Sequence, residues 1–303
     1  MMTPEKMGGY VHHMEKVDGR KVRERSDSFK DYFTQAKLFF DSMSEVEKKH
    51  ILDAFHFELG KVEIKEVRQR MVYMMANVDR QLANDIAKGI GVEPPTDEEK
   101  IKEVAKDALP RLTGKKSIDR SPALSQENLK GTSIKGRKIA VLLDEGFDEE
   151  SLNKVKNMLM NEGAMTEIVS KFHGKILGNN GGAIETDKSH ITTASVLYDG
   201  LFIPGGQKSV DAMMMQGDVI QFINEMYKHS KPIAASGEAV SLFQKANIVG
   251  ARLTGNSEGT VSHMGVVTVS AMEKLVDFVE QFKTAILQHR HWDREKYKDQ
   301  VPA

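Results

Sequence analysis

A chain of 303 residues with 40% hydrophobic content is long enough for two domains with real cores. Lys plus Arg (43) balances Asp plus Glu (44), which leaves no overall field to attract nucleic acid or an anionic membrane. The absence of cysteine excludes thiol nucleophiles, disulfides and thiolate metal sites together, and it fits the cytoplasm.

Residues 1–25 are polar and read as an extended arm with no core of its own. The opening MMTPEKMGGYVHHMEK lacks the apolar centre of a signal peptide. No later run approaches the roughly 20 apolar residues needed to cross a bilayer. His12-His13 and the basic residues Lys16, Arg20, Lys21, Arg23 and Arg25 are mixed with acids, so they form a solvated arm and not a nucleic-acid patch.

From Ser26 the pattern turns helical, and a small all-α segment is expected over 26–92. Phe29, Phe33, Ala36, Leu38 and Phe40 give a first apolar side. Ser44 with Glu47 makes a capping box for a second helix that Gly60 stops. Val67, Met71, Met74, Met75, Val78, Leu82 and Ile86 form a third stretch, broken near Asn77-Val-Asp79. These helices are too few for a large core and call for something to pack on. Residues 93–136 read as a charged helix over Asp97–Leu109 followed by a linker.

From residue 137 to 303 the period changes. Lys138–Leu143 is a continuous apolar run, as expected for a strand covered on both faces, and Met165–Ser170, Tyr198–Ile203 and Gly265–Ser270 read as further strands. Helical patterns over Glu149–Glu162, Asp218–His229 and Ala271–Gln288 separate or follow them. This alternation predicts an α/β fold with a doubly wound, mostly parallel sheet. The cluster Met213-Met214-Met215 reads as packing.

The sharpest local signal is Lys231–Leu242, KPIAASGEAVSL. A short buried strand turns at Ser236-Gly237 into a helix that begins near Glu238. Such a turn presents a nucleophile at the carboxyl end of a sheet, yet its apex here is Gly237, which has no side chain. Ser236 lies one position before the apex and lacks the Gly-x-Ser-x-Gly surroundings, so a small packed residue is the plainer reading. Asp144, Glu145, Asp148, Glu149 and Glu150 crowd the end of the first strand. They could be bases or ligands, although helix-dipole capping explains them more simply. Pro204-Gly205-Gly206 could offer backbone amides to an anion, but with no nucleophile opposite it reads as a turn.

Residues 137–303 resemble the class I glutamine amidotransferase-like superfamily in its archaeal intracellular protease branch, a flavodoxin-like fold. The marks are Gly146-Phe147, Tyr198-Asp199-Gly200-Leu-Phe-Ile-Pro204-Gly205-Gly206 and Lys231-Pro232-Ile-Ala-Ala235. Where that branch has Ala-Ala-Ile-Cys-His-Gly, this chain has Ala234-Ala235-Ser236-Gly237-Glu238-Ala239. Gly237 therefore stands at the position of the catalytic Cys, Glu238 at that of the His, and Asp148 at that of a Glu beside the thiol. The resemblance implies a retained fold without its chemistry.

Phe29–Val92 resembles the segment that follows the haem barrel in monofunctional catalases, through Gln35-Ala-Lys-Leu-Phe39, Phe55-His-Phe-Glu58-Leu-Gly60-Lys61-Val62, Val67-Arg68-Gln-Arg70-Met71-Val72 and Val78-Asp79-Arg-Gln-Leu82-Ala83. With Asp119-Arg-Ser121-Pro-Ala-Leu-Ser125, the order of parts resembles the large-subunit, hydroperoxidase II type branch. The intact enzyme of that branch converts hydrogen peroxide to water and oxygen on haem, as a defence against oxidative stress. In catalases the iron is held by a tyrosinate. None of the six tyrosines here follows an Arg by four positions, and the distal His-Ala-Arg-Gly is absent. Gly178-Asn179-Asn180 echoes the distal Asn segment but runs into Gly181-Gly182, so it reads as a turn.

The resemblance thus implies a chain with no catalytic residue, cofactor site or metal site of its own. Its role would be structural, in a homo-oligomer, against a haem-barrel domain or sister subunits, with the faces around Phe29, Phe33, Phe39 and Phe55 as interface. Two rivals stand beside it: a hydrolase or amidase running on a residue other than Cys, and a holdase-type chaperone using exposed Met and Phe. His289-Arg-His291-Trp292 reads as a solvated basic helix end and not a metal pair.

Overall fold

The computed structural model describes residues 7–11, 13–108, 118–129, 131–255, 259–270 and 275–303. Contacts divide the chain into two units. One runs to Asp41 and resumes over Ile51–Arg120; the other joins Ser42–His50 to Ser121–Ala303. His12, Leu109 and Ala271, which carried expectations above, lie outside the described residues.

In the first unit the described residues of 9–26 hold no helix or strand. Helices follow as α1 (Thr34–Ser42), α2 (Glu45–Gly60, its first six residues assigned to the second unit), α3 (Lys65–Met75), α4 (Arg80–Ile90) and α5 (Glu98–Val104). The first apolar side does not form one helix: Asp27–Lys30 is a 3-10 turn, and α1 starts only at Thr34. The break expected at Asn77-Val-Asp79 is present. There Asp79 caps α4 by accepting the Leu82 N–H at 2.8 Å. Leu82, Ala83, Ile86, Ala87 and Ile90 recur at helical spacing and form the buried stripe of α4. They pack with Leu59, Val72, Ala76 and Ile101. Each buried Leu or Ile contributes about 1.5–3 kcal/mol. The charged helix is shorter than expected: α5 ends at Val104, seated on its Asp97 cap. Phe29 and Phe39 are exposed, whereas Phe55 packs on this core.

In the second unit the capping box forms as expected, with Ser44 N–H donating to Glu47 Oε2 (2.9 Å) and Glu47 N–H to Ser44 Oγ (3.2 Å). Glu47 Oε1 also accepts the Gln126 N–H at 2.7 Å, within the stretch read as a linker.

The sheet is built from β1 (Lys138–Leu142), β2 (Met165–Ser170), β5 (Lys188–Ser189), β6 (Gly200–Ile203), β7 (Ile233–Ser236), β8 (Val261–His263) and β9 (Val266–Val269). A separate hairpin pairs β3 (Gly174–Leu177) with β4 (Ala183–Thr186). The sheet order is β5-β2-β1-β6-β7-β9-β8, parallel except for β8. The order β2-β1-β6-β7-β9 is the flavodoxin-like one, with its reversal between β1 and β6. Alternate residues feed two cores. Ala140, Leu142, Leu201, Ile203, Ile233 and Ala235 face α7 (Gln207–Met214), α8 (Gly217–Lys228) and α9 (Val240–Lys245). Ile139, Val141, Phe202, Ala234 and Val267 face α6 (Glu149–Asn161) and α10 (Leu275–Gln288).

The expected strands and helices of this unit are all present within a few residues. The hairpin, β5, α7 and β8 are additions. Met213 is buried as packing, but Met215 is 86% exposed. The carboxyl-terminal reading is corrected: α10 stops at Gln288, and the following chain folds back, burying His291 and Arg294 instead of leaving them in solvent. His291 Nε2 meets the Ala285 carbonyl at 3.1 Å. Arg294 donates to the carbonyls of Met264, Lys231 and Tyr227 and stacks on the Tyr227 ring.

Candidate functional site

β7 runs into its turn with Ser236 extended and Gly237 at φ 57°, the left-handed conformation that an elbow apex requires and glycine supplies without strain. A Cβ built at Gly237 would meet only Gly205 Cα, at 3.7 Å. The notch therefore still has room for a side chain. Ser236 is 1% exposed and points into the packing, where its Oγ accepts the Gly205 N–H at 3.3 Å. Glu238 reaches back, and its Oε2 accepts the Gly206 N–H at 3.0 Å. The two amides that could have held an oxyanion are thus both spent on the elbow's own side chains.

The approach is close. A Cβ at Gly205 would stand 2.8 Å from Glu238 Oε2, and one at Gly206 (φ 107°) would run into the Gly146 carbonyl. The Gly205 carbonyl accepts the Asp148 N–H at 2.8 Å. The ends of β1, β6 and β7 are tied together at this point.

Asp148 is the N-cap of α6: its Oδ1 accepts the Ser151 N–H at 2.7 Å and its Oδ2 the Asn179 amide at 3.2 Å. Two of the other acids hold the hairpin. Glu145 Oε2 accepts the Leu177 N–H (3.2 Å), and Glu149 Oε1 accepts those of Asn180 (2.9 Å) and Gly182 (2.8 Å). Gly178-Asn179-Asn180 is the turn that was expected. Its attachment to the acids was not, because nothing local in either segment announces a partner some thirty residues away. A cleft of about 580 Å³ opens beside the elbow, lined by Glu145, Asp148, Asn179, Gly206, Lys208 and Glu238. It brings Asp148 and Glu238 together. Ser236 is not among its walls, and neither a histidine nor a cysteine is. This lining offers acids and one lysine, without a nucleophile paired to a base.

Displaced pKa values gather instead at the amino edge of the sheet. Burial lowers Lys231 to about 8, His291 to about 3 and Arg294 to about 10. Their hydrogen bonds go to backbone carbonyls, which makes them fasteners of the chain end and not a catalytic group.

Haem is the cofactor that the resemblance brings with it, and the two buried tyrosines do not fit it. A tyrosinate ligand needs a phenol free to ionise. Tyr198 Oη donates to Glu167 at 2.9 Å and Tyr227 Oη to the Val249 carbonyl at 2.6 Å, and burial raises both pKa values. Tyr10 and Tyr32 are exposed. Among the described residues no group of three or more His, Cys, Asp or Glu could hold a metal ion. Also among them, no helix is long and apolar enough to cross a membrane.

Fold and elbow together define a flavodoxin-ordered α/β domain with glycine at the apex of its strand-to-helix turn. Residues 135–296 match the family described as the C-terminal domain found in long catalases, and the chain belongs to it. Residues 26–90 match a second family, described as catalase-related immune-responsive. The chain is 41% identical over 287 residues to Catalase-2 of Bacillus subtilis, covering 95% of this chain and 38% of that protein. It is 40% identical to a catalase of Alkalihalophilus pseudofirmus, over 96% of this chain and 38% of that protein. With Catalase HPII of Mycobacterium avium the identity is 39%, over 97% of this chain and 40% of the relative. The chain therefore spans about two fifths of the length of these relatives.

Proposed function

We propose that this chain serves as the accessory, non-haem part of a large-subunit catalase and is itself catalytically silent. On this reading, hydrogen peroxide is converted to water and oxygen on haem in a separate barrel, in defence against oxidative stress. The chain supplies packing and shielding in a homo-oligomer, against the barrel or sister subunits. The arm over 1–25, the helices over 26–92, the connection over 93–136 and the domain over 137–303 act as its parts.

The observation that carries the reading is the wiring of the elbow. Gly237 offers no reactive atom, Ser236 is buried, and the Gly205 and Gly206 amides are satisfied internally. Asp148 serves as a helix cap, which supports a structural role for it too. The exposed side chains Phe29 and Phe39 support an interface on the helical segment.

Purified chain mixed with haemin and peroxide tests this. The expected result is no Soret band and no oxygen above a haemin control; a Soret band with oxygen evolution overturns it. The same exposed phenylalanines favour one rival, a holdase. Suppression of a client's heat aggregation at stoichiometric ratio would establish that activity instead.

A further inference from the structure

The turn that joins β3 to β4 reads Gly178-Asn179-Asn180-Gly181-Gly182, and Asn180-Gly181 is the single Asn-Gly pair in the chain. An asparagine side chain can reach the backbone nitrogen of the residue that follows, and glycine, with no Cβ, leaves that nitrogen open. The asparagine amide is also among the thermally labile groups of a protein.

The two asparagines of this turn are held differently. Asn179 is tied through both ends of its amide: Nδ2 donates to Asp148 Oδ2 (3.2 Å), and Oδ1 accepts the Glu149 N–H (3.2 Å). Asn180 is exposed, and among the described residues its side-chain amide makes no hydrogen bond. Gly181 has φ 87°, and a Cβ built on it would meet nothing within 4 Å. Its N–H goes to the Gly178 carbonyl at 3.3 Å, beyond the usual range of about 2.7–3.2 Å. Carbonyl carbon and attacking nitrogen are thus both loosely held and open to water.

The contacts on either side of this pair are tighter. Glu149 Oε1 takes the N–H of Asn180 at 2.9 Å and that of Gly182 at 2.8 Å. The Glu149 side chain is boxed in, because a Cβ at Gly178 or at Gly182 would run into it. Two amides on either side of Gly181 therefore share one oxygen, and the main-chain path between them has a fixed length.

We propose that Asn180 is a site of spontaneous covalent modification that unfastens the hairpin turn from Glu149. The Gly181 nitrogen, its proton taken by hydroxide, attacks Asn180 Cγ. The new N–Cγ bond closes a succinimide and the Cγ–Nδ2 bond breaks. The side-chain nitrogen leaves as ammonia, taking a proton from water and returning the hydroxide. Water then opens the ring, with no change of oxidation state. Opening at Cγ gives aspartate. Opening at the backbone carbonyl gives isoaspartate, with one extra methylene in the main chain between the two amides that Glu149 holds. Either product adds a negative charge to a turn already fastened to Glu145, Asp148 and Glu149.

The test warms the full 303-residue chain at neutral and at mildly alkaline pH until a reference sample, unfolded in guanidinium chloride, has converted. Isoaspartate is read by enzymatic carboxyl methylation and located by mass in the tryptic peptide Ile176–Lys188. The folded chain should convert at Asn180 ahead of every other asparagine, and faster at the alkaline pH. Asn180→Gln should stay unmodified there, since its longer side chain closes such a ring far less readily. Amide exchange at Gly182 should quicken about twofold to tenfold in the converted fraction, the loss of one hydrogen bond to a carboxylate that water can replace. A folded chain that keeps Asn180 after the reference has lost it overturns the proposal. So does first conversion at another asparagine, or Gly182 exchange that conversion leaves unchanged. These readings need no variant and decide even if Asn180→Gln fails to fold.

Discussion

Replacing Glu238 with alanine tests the wiring of the elbow directly. The substitution removes the acceptor of the Gly206 N–H, now 3.0 Å from Oε2, and leaves the Ser236 contact to Gly205 in place. A hydrogen bond to a charged acceptor is worth about 1.5–3 kcal/mol when dry, but water from the open cleft can replace this one. The net loss is therefore about 0.5–1.5 kcal/mol, a factor of roughly two to ten in local opening. Glu238→Gln keeps an acceptor oxygen and should lose less than half as much. Amide exchange of Gly206 reads the local term. Urea unfolding reads the global one, followed by the fluorescence of Trp292, the single tryptophan, which lies in the second unit. One probe in one unit is needed because a chain of two units has no single unfolding free energy. Unchanged protection of Gly206 in Glu238→Ala would refute the claim that this amide is held by the carboxylate.

Three further outcomes are expected. Gly237→Cys should fold, losing about 1–2 kcal/mol to the left-handed backbone, and its thiol should alkylate without conferring peptidase or esterase turnover; turnover would show that the amides are available after all. Glu149→Ala removes the acceptor of two hairpin amides, so exchange at Asn180 and Gly182 should quicken while Trp292 unfolding changes little. Stability should fall as pH drops from about 6.5, the unfolded histidine value, towards about 3, the folded value of His291. The sign follows because the unfolded chain binds the proton throughout that window and the folded one does not. His190, His229 and His289, also lowered by burial, push the same way. His291→Gln should flatten the acid limb, and an unchanged limb would refute the assignment.

The parallel sheet was legible because β1, β6 and β9 are short runs rich in Val, Ile and Leu that alternate with amphipathic helical stretches. The elbow was legible too, since Ala-Ala-Ser-Gly-Glu compresses strand, turn and helix start into five residues. The hairpin was not. Gly174–Leu177 and Ala183–Thr186 carry Lys, Gly, Glu and Thr, with a single buried apolar side chain, Ile176, between them. Besides the ladder and the packing of Ile176 and Ile184, they are held by Glu145 and Glu149, which sequence assigns to a helix dipole. His291 and Arg294 misled for a related reason. A basic run after an amphipathic helix normally meets water, and here the chain turns back so that backbone carbonyls take the guanidinium. Neither acceptor is visible in a sequence, because every residue carries one.

An elbow without a nucleophile is not a damaged enzyme site in energetic terms. A reactive side chain at the apex must hold φ near +57° at a cost of about 1–2 kcal/mol, which glycine does not incur. Amides turned towards a vanished oxyanion would be left unsatisfied, at about 1–3 kcal/mol each where water is excluded. Ser236 and Glu238 take up those donors, and the Asp148 N–H closes the loop on Gly205. Each change moves the turn from stored strain towards a fastened junction of three strand ends. A domain built that way gains rigidity where an enzyme would keep reactivity, which is what the proposed accessory role calls for.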